Sequence, residues 1–417
     1  MQLPIANAPP ADLPAEQRLD AIDALRGFAL AGVLLSNLRD FSLYTLIEES
    51  AQARGERWLQ MLLAALLDAK AMTVFALLFG VGFALQLERA DRGSAADRAQ
   101  ARRRYAWRLC LLLGFGLLHA AFWYGDILRY YAVLGLLLLP LARCRPATLA
   151  MLGVLVAVFA TALLQPFMRP WSAQFAPAAQ AAAAARAAFE SPRWAVMLAG
   201  NRDYDLWLHA TAWSLPFFTL GRLLLGMAIG RAGWLQRPQQ HLRAWRRLLA
   251  WSLPTGLILA VYFLFRDFGG LGPELFGLDG DAARALSRLL RNLAYLSLGL
   301  GYVAGFVLLF QRPRARRWLG WLAPVGRMAL SNYLAQTALG LALFYGVGAG
   351  VGPRYGLAGV LVAFAAVFAA QAALSHWWLR RFRYGPLEWI WRCLTYRRAL
   401  PLRRAPAGAA APEPARG

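Results

Sequence analysis

Lysine is almost missing from this chain: Lys70 is the only one, so the 45 basic residues are in effect all arginine. Acidic residues number 22, and charged residues together make up 16% of 417 positions. A soluble domain carries about a quarter, which argues against a water-exposed globular fold. Three cysteines, Cys110, Cys144 and Cys393, lie in or beside apolar runs without metal-ligand spacing, so neither a disulfide framework nor a zinc site is implied. P-loop, GxSxG, HExxH and Rossmann signatures are absent, which disfavours ATP-driven transport, serine hydrolysis and zinc proteolysis. The N-terminus, MQLPIANAPPADLPAEQ, lacks a basic region followed by an apolar core, so the first span is expected to act as the insertion signal. No internal repeat stands out, which weakens any transporter of the inverted-repeat kind.

What is present is apolar. Hydrophobic residues make up 59% and the mean hydropathy is +0.42. The long uncharged runs imply an all-α, polytopic transmembrane helical bundle. The formal charge of +23 points away from nucleic acid here, because the arginines cluster between apolar runs, as membrane orientation requires.

About ten spans are read: 27–46, 60–87, 105–123, 126–142, 147–165, 207–230, 248–265, 288–310, a ninth beginning after Pro324, and 356–379. With both termini inside, the arginine-dense segments 88–104, 231–247 and 311–323 all fall on the inner face, against anionic lipid. Residues 1–17 and 398–417 read as disordered tails flanking one membrane domain, 18–397. Segment 166–205 reads as an outer loop with a short interfacial helix. RRFRYGPLEWIWRCLTYRR reads as an amphipathic inner-surface helix with its tryptophans among the headgroups.

Candidate chemistry concentrates in 114–131, GFGLLHAAFWYGDILRYY, which places His119, Asp126 and Arg129 close together in an apolar setting. Ionisable groups are costly in hydrocarbon, so they face a bundle interior or a wet cavity and have partners. One reading is structural: His119 packs on aromatics, Asp126 caps a helix and Arg129 snorkels. The other is a titratable cluster at the mouth of an outward-opening cavity, which His209, near Asp203 and Asp205, would join.

Arg26 and Asn37 share one face of the first span, with Asp23 one turn from Arg26. In the ninth span Asn332 and Gln336 share a face, with Arg327 and Ser331 on a neighbouring one. These are either donor- and substrate-binding groups or polar glue between helices. Gly80 and Gly82 of the second span favour close helix contact.

Five motifs, LDALRGFALAGVLLSN, FALLFGVGFALQLER, GLLHAAFWYGDILRYYAVLGLLLLP, VGRMALSNYLAQ and FRYGPLEWIWRCLTY, occur in order between about residues 18 and 397. In these the chain resembles the YeiB family of bacterial inner-membrane proteins, which carry a domain of unknown function in the C-terminal half, here from about residue 230. A looser resemblance, through the LDxLRG opening, is to the transmembrane acyltransferases, which include sugar O-acetyltransferases. That resemblance implies an acyl-coenzyme A donor at the inner face and an envelope or periplasmic small-molecule or glycan acceptor. The chain departs from it by having Asn37 where many of those proteins have a histidine.

Three functions follow. As an acyltransferase the protein would use His119 as base or acyl carrier, Asp126 to hold its tautomer, and Arg26 to draw the phosphorylated donor. As a proton-coupled transporter it would use the same polar groups as a binding site. As a membrane scaffold it would use them only to join helices.

Overall fold

The computed structural model describes residues 15–47, 54–91, 94–268, 280–352 and 354–404. The expected tails lie largely outside these residues, as do the charged outer loop 48–57 and the glycine-rich turn after Arg266. Seventeen α-helices run in order: α1 Ala15–Phe41, α2 Arg54–Leu66, α3 Lys70–Asp91, α4 Ala95–Phe122, α5 Leu128–Leu137 and α6 Pro146–Val154. Then come α7 Thr161–Ser172, α8 Ala178–Phe189, α9 Trp194–Thr211, α10 Leu215–Arg231, α11 Leu242–Phe268 and α12 Gly280–Phe310. The chain closes with α13 Pro313–Gly320, α14 Ala323–Arg327, α15 Ala329–Phe344, α16 Gly356–Arg381 and α17 Pro386–Tyr396. Among the described residues the only β feature is an isolated bridge between Phe382 and Arg403, which ties the start of the C-terminal tail to the end of α16.

Among the described residues seven helical segments are long and apolar enough to cross a bilayer, and an eighth is a bent pair. The expected sixth span is that pair: α9 and α10 meet at 71°. Pro216 explains the break, since it has no amide to continue the ladder and disfavours helix at the residue before it. The expected fourth and ninth spans correspond to α5 and α15, of 10 and 16 residues. At about 1.5 Å per residue these fall short of a ~30 Å hydrocarbon core, so both lie among longer neighbours. The second span is interrupted at 67–69, where Ala69 takes φ 64°. There Lys70 turns inward: its ammonium donates to the Ala64 carbonyl at 2.7 Å and sits 4.8 Å from the Tyr295 ring centre.

Between α6 and α7 the span contains a π-helical segment, Leu155–Ala160. Asn292 of α12 donates to the Val158 carbonyl at 3.2 Å and to Thr161 Oγ1 at 2.6 Å, satisfying groups that the wider turn leaves free. Glycine sets two tight crossings. A Cβ on Gly326 would meet the Asp23 carbonyl and the Gly27 amide, so α14 lies backbone-to-backbone on α1. Gly80 meets α10 in the same way at Leu223 and Met227, whereas Gly82 faces the open space described below. Close approach of this kind is what small residues permit between membrane helices.

Two helix starts are capped from afar by glutamates. Glu56 accepts from the Leu357 amide at 3.0 Å and from the Tyr44 hydroxyl at 3.2 Å. Burial and the Glu56 charge push the Tyr44 phenol up to about 12. On the other face Glu388 of α17 accepts from the amides of Leu330 and Ser331 at 2.7 and 3.0 Å and from the Ser331 hydroxyl at 2.5 Å. A carboxylate at a helix N-terminus satisfies orphan amides and opposes the positive end of the dipole.

Candidate functional site

A cavity of about 270 Å³ runs between α1, α3, α4, α5, α15 and α17. It extends from Arg26 to Asn37 along α1, about 16 Å at ~1.5 Å per residue. Its Arg26 end lies at the face carrying the arginine-dense segments. Four arginines stand there: Arg26, Arg108, Arg327 and Arg392. Arg26 pairs with Asp23 at 2.8 Å. The other three make no ion pair among the described residues. Arg108 donates to Gln86 Oε1 at 3.0 Å and stacks 4.0 Å over the Trp391 ring. Arg392 lies 4.7 Å from the Tyr384 ring centre, and Arg327 reaches only the Arg383 carbonyl, at 3.5 Å. The shaft beyond is apolar, lined by Leu30, Val33, Phe75 and Phe79, and closes on Ser36, Asn37, Met72, Tyr131 and Tyr333. Cationic mouth and apolar shaft together fit an amphiphilic anion, since planar guanidinium groups recognise phosphate and carboxylate.

The C-terminal helix builds part of this mouth. Instead of lying with all its tryptophans among headgroups, α17 turns Trp391 inward, where its indole donates to the Arg108 carbonyl at 3.0 Å. Trp107 donates to Leu394 at 3.1 Å, so α17 and α4 are joined on both sides. Burial raises the Glu388 carboxyl above its ordinary range, and the bonds from Ser331 and Leu330 offset part of that rise.

Behind the shaft lies a second polar cluster. His119 Nδ1 is 2.7 Å from Asp126 Oδ2, and His119 Nε2 is 2.7 Å from Thr337 Oγ1. The Arg129 amide and Nε donate to Asp126 Oδ1 at 2.9 and 3.2 Å. The Arg129 fork then grips Asp205 at 3.0 and 2.8 Å and comes within 3.4 Å of His209 Nε2. His209 Nδ1 in turn bonds the Asp205 carbonyl at 2.7 Å. Carboxylate, histidine and hydroxyl thus stand in the relay order familiar from acyl-transfer enzymes. His119 is buried and belongs to no wall of the cavity; the Tyr333 ring, 5.0 Å away, separates the two. The expected outward-opening cavity around His119 is therefore replaced by a closed cluster backed by Trp123, because α8 and the turn after α15 cover that side. There Phe189 stacks on Tyr345 at 4.7 Å and its carbonyl accepts from Gly346.

The sequence-derived candidates thus divide. Arg26, Asn37 and Arg327 meet at the cavity, and His119, Asp126 and Arg129 meet in the cluster behind it. Asp203 turns away to pair with Arg202 at the surface, while Asp205 joins through Arg129. Asn332 and Gln336 sit in neither place. Asn332 donates to Ser375 and Val325 at 3.1 Å, Gln336 donates to Gln371 at 3.1 Å, and Gln371 returns a bond to the Asn332 carbonyl at 2.9 Å. That net joins α15 to α16. Sequence reading missed Arg108, Glu388, Trp391 and Arg392, whose elements are far apart in the chain. It also missed Thr337, one turn beyond Tyr333 in an apolar run.

A family described as "Protein of unknown function (DUF418)" matches residues 229–398. The chain is 30% identical to the uncharacterised protein YxaH of Bacillus subtilis over 413 residues, which covers 91% of this chain and 94% of that one. It is 30% identical to the uncharacterised protein YeiB of Escherichia coli over 92% of this chain and 98% of that one. An uncharacterised 39.9 kDa protein in the amylase 3' region of Bacillus acidopullulyticus is 28% identical over 93% of this chain. No solved structure matches.

Proposed function

For a chain that belongs to the YeiB family, whose C-terminal half is the DUF418 domain, we propose an acyltransferase of the bacterial inner membrane. It takes a phosphorylated acyl donor of the coenzyme A type from the inner face and passes the acyl group to an acceptor on the other side. The observation that supports this best is the cavity: three arginines without ion pairs ring the mouth of an apolar shaft. Pockets for small ligands run from about 300 to 1,000 Å³, so a space of 270 Å³ suits an acyl chain and its linker. The bulky phosphorylated end would remain among the arginines.

In the transfer, the acyl–sulfur bond breaks and an ester or amide bond forms at the acceptor hydroxyl or amine. With the Tyr333 ring turned aside so that the shaft reaches Thr337, the acceptor proton passes to His119 Nε2 through the Thr337 hydroxyl and then to the departing thiolate. Asp126 holds the Nδ1 proton and so keeps Nε2 free to accept. Reconstituted protein given labelled acetyl-coenzyme A at its arginine-rich face tests this reading. Labelled product that depends on His119 supports it; binding of the donor without any transfer or thioester cleavage contradicts it.

One observation favours a second reading, proton-coupled transport. His119, Asp126, Arg129, Asp205 and His209 form a continuous chain of titratable and charged groups across the α4–α5 turn and α9. Such chains carry protons in transporters. An acidification of vesicles that follows substrate uptake separates this reading from transfer.

A further inference from the structure

Arg222 of α10 is fully buried among membrane helices. Its Nε donates to Thr73 Oγ1 at 2.7 Å, its Nη1 to the Phe218 carbonyl at 2.8 Å, and its guanidinium carbon lies 3.4 Å from the Phe218 ring centre. No carboxylate pairs with it among the described residues. The ionisable groups that face it are the phenols of Tyr131 and Tyr295. Its Nη2 has no hydrogen-bond partner among the described residues. Two more buried oxygens are unpartnered among the described residues: the hydroxyl of Tyr131, whose phenol faces Arg222, and Thr219 Oγ1, one turn earlier on α10.

A guanidinium in hydrocarbon without a counter-charge is among the most costly arrangements a membrane protein can hold. Packing Phe218 on its face recovers only part of that cost. A trapped water would satisfy hydrogen bonds but leave the charge standing. All three unpartnered atoms carry donor hydrogens, and Thr73, the one hydroxyl bonded to Arg222, already donates its own proton to the Ala69 carbonyl. Unpartnered donors beside an uncompensated cation call for an acceptor that has several lone pairs and a negative charge.

Tyr131 also forms part of the cavity wall, held between Phe75 and Phe79 with ring centres 6.0 and 5.1 Å away. Its ring is the partition between the shaft and Arg222. We propose that Arg222, Tyr131 and Thr219 form an internal oxyanion site behind the Tyr131 wall of the cavity, which takes a carboxylate. This site stands whether or not acyl transfer is the protein's reaction. The carboxylate arrives either as a free small ion or as the head of an apolar chain, and the two sources differ in what the shaft must hold.

Thermal unfolding of the purified full-length protein in detergent, at constant ionic strength, tests the site with acetate and with decanoate against chloride. Wild-type protein is expected to gain about 2 °C or more, saturably, with at least one of the two carboxylates. Stabilisation by acetate identifies a free ion, and stabilisation by decanoate alone identifies a carboxylate delivered by an apolar chain. Arg222→Met removes the charge and should lose the carboxylate effect, yet be at least as stable as wild type in chloride. Should that variant fail to fold, Tyr131→Phe and Thr219→Val keep the cation and each remove one donor. Either should weaken carboxylate binding about fivefold, the equivalent of one hydrogen bond of about 1 kcal/mol. Equal responses of wild type and all folded variants, or no response of wild type to either carboxylate, would overturn the proposal.

Discussion

His119 and Thr337 stand 218 positions apart in the chain, yet the Nε2 of one lies 2.7 Å from the Oγ1 of the other. That contact joins α4 to α15 behind the cavity and, with Asp126 on the opposite ring nitrogen, fixes which way the imidazole faces. Several consequences of the arrangement are measurable.

Replacing His119 by alanine should cost stability as well as activity. The sequence alone gives no reason for a stability loss, since a small apolar residue fits a membrane span. In the folded protein the substitution strips one bond from buried Asp126 and leaves Thr337 without its partner. A buried polar group left unsatisfied costs about 1–3 kcal/mol. Acyl transfer should fall about 10²–10⁴-fold, the usual contribution of a general base. Denaturation and transfer assays on His119→Ala and Asp126→Asn check both; full activity in a folded His119→Ala protein would remove the histidine from the reaction.

Arg108→Gln and Arg392→Gln should each weaken donor binding about ten- to hundredfold, as expected for a charge-assisted bond to phosphate. The loss should shrink at high salt, because salt screens the attraction between the arginines and the donor phosphates. Titration of coenzyme A at two ionic strengths reads this directly. Asn332→Ala, which loses bonds to Val325 of α14 and Ser375 of α16 but lines no part of the cavity, should leave donor affinity unchanged while lowering stability.

Glu388 predicts a pH dependence of definite sign. Its folded-state carboxyl is raised by burial, so the folded protein holds this proton more tightly than the unfolded chain does. The stability that this provides is fully present below the ordinary glutamate value, ~4.3, and is lost as pH rises through the raised one. The unfolding free energy, measured across about pH 4 to 7, should therefore fall more steeply with rising pH in wild type than in Glu388→Gln. Parallel curves would show that the site does not titrate in that window.

Much of this was legible in local sequence. Asp126 and Arg129 are three apart, so the cap and the ion pair lie within one turn, and the apolar runs mark most of the spans. Long-range partners were not. Nothing near Leu330 says that its amide is capped by Glu388, and nothing near Arg108 says that Trp391 will stack on it. The bend between α9 and α10 had a visible cause in Pro216, but the apolar run around it reads as continuous. Arg222 also carried a signal, a charge inside FTLGRLLLG, which the sequence reading passed over. Asn332 and Gln336 were correctly legible as polar positions in an apolar helix, yet composition cannot distinguish a helix-joining net from a ligand contact.

Gly326→Ala should distort the entrance of the cavity without removing any side-chain hydrogen bond. The added methyl would meet the Asp23 carbonyl and force α14 away from α1, at a cost of about 1–3 kcal/mol for overpacking. Since Arg26 and Arg327 flank that contact, coenzyme A affinity should fall together with thermal stability. Unchanged stability would mean that the two backbones lie farther apart than described.

Coenzyme A binding from the arginine-rich face tests the central claim most directly. Purified protein in lipid nanodiscs, titrated with acetyl-coenzyme A, should bind it saturably. Dephosphorylated pantetheine, which lacks the groups that the arginines would hold, should bind at least tenfold more weakly. Combined Arg108→Gln and Arg327→Gln substitution should abolish that preference. Equal affinity for both compounds, or binding unaffected by the double substitution, would contradict the assignment of this cavity to a phosphorylated donor.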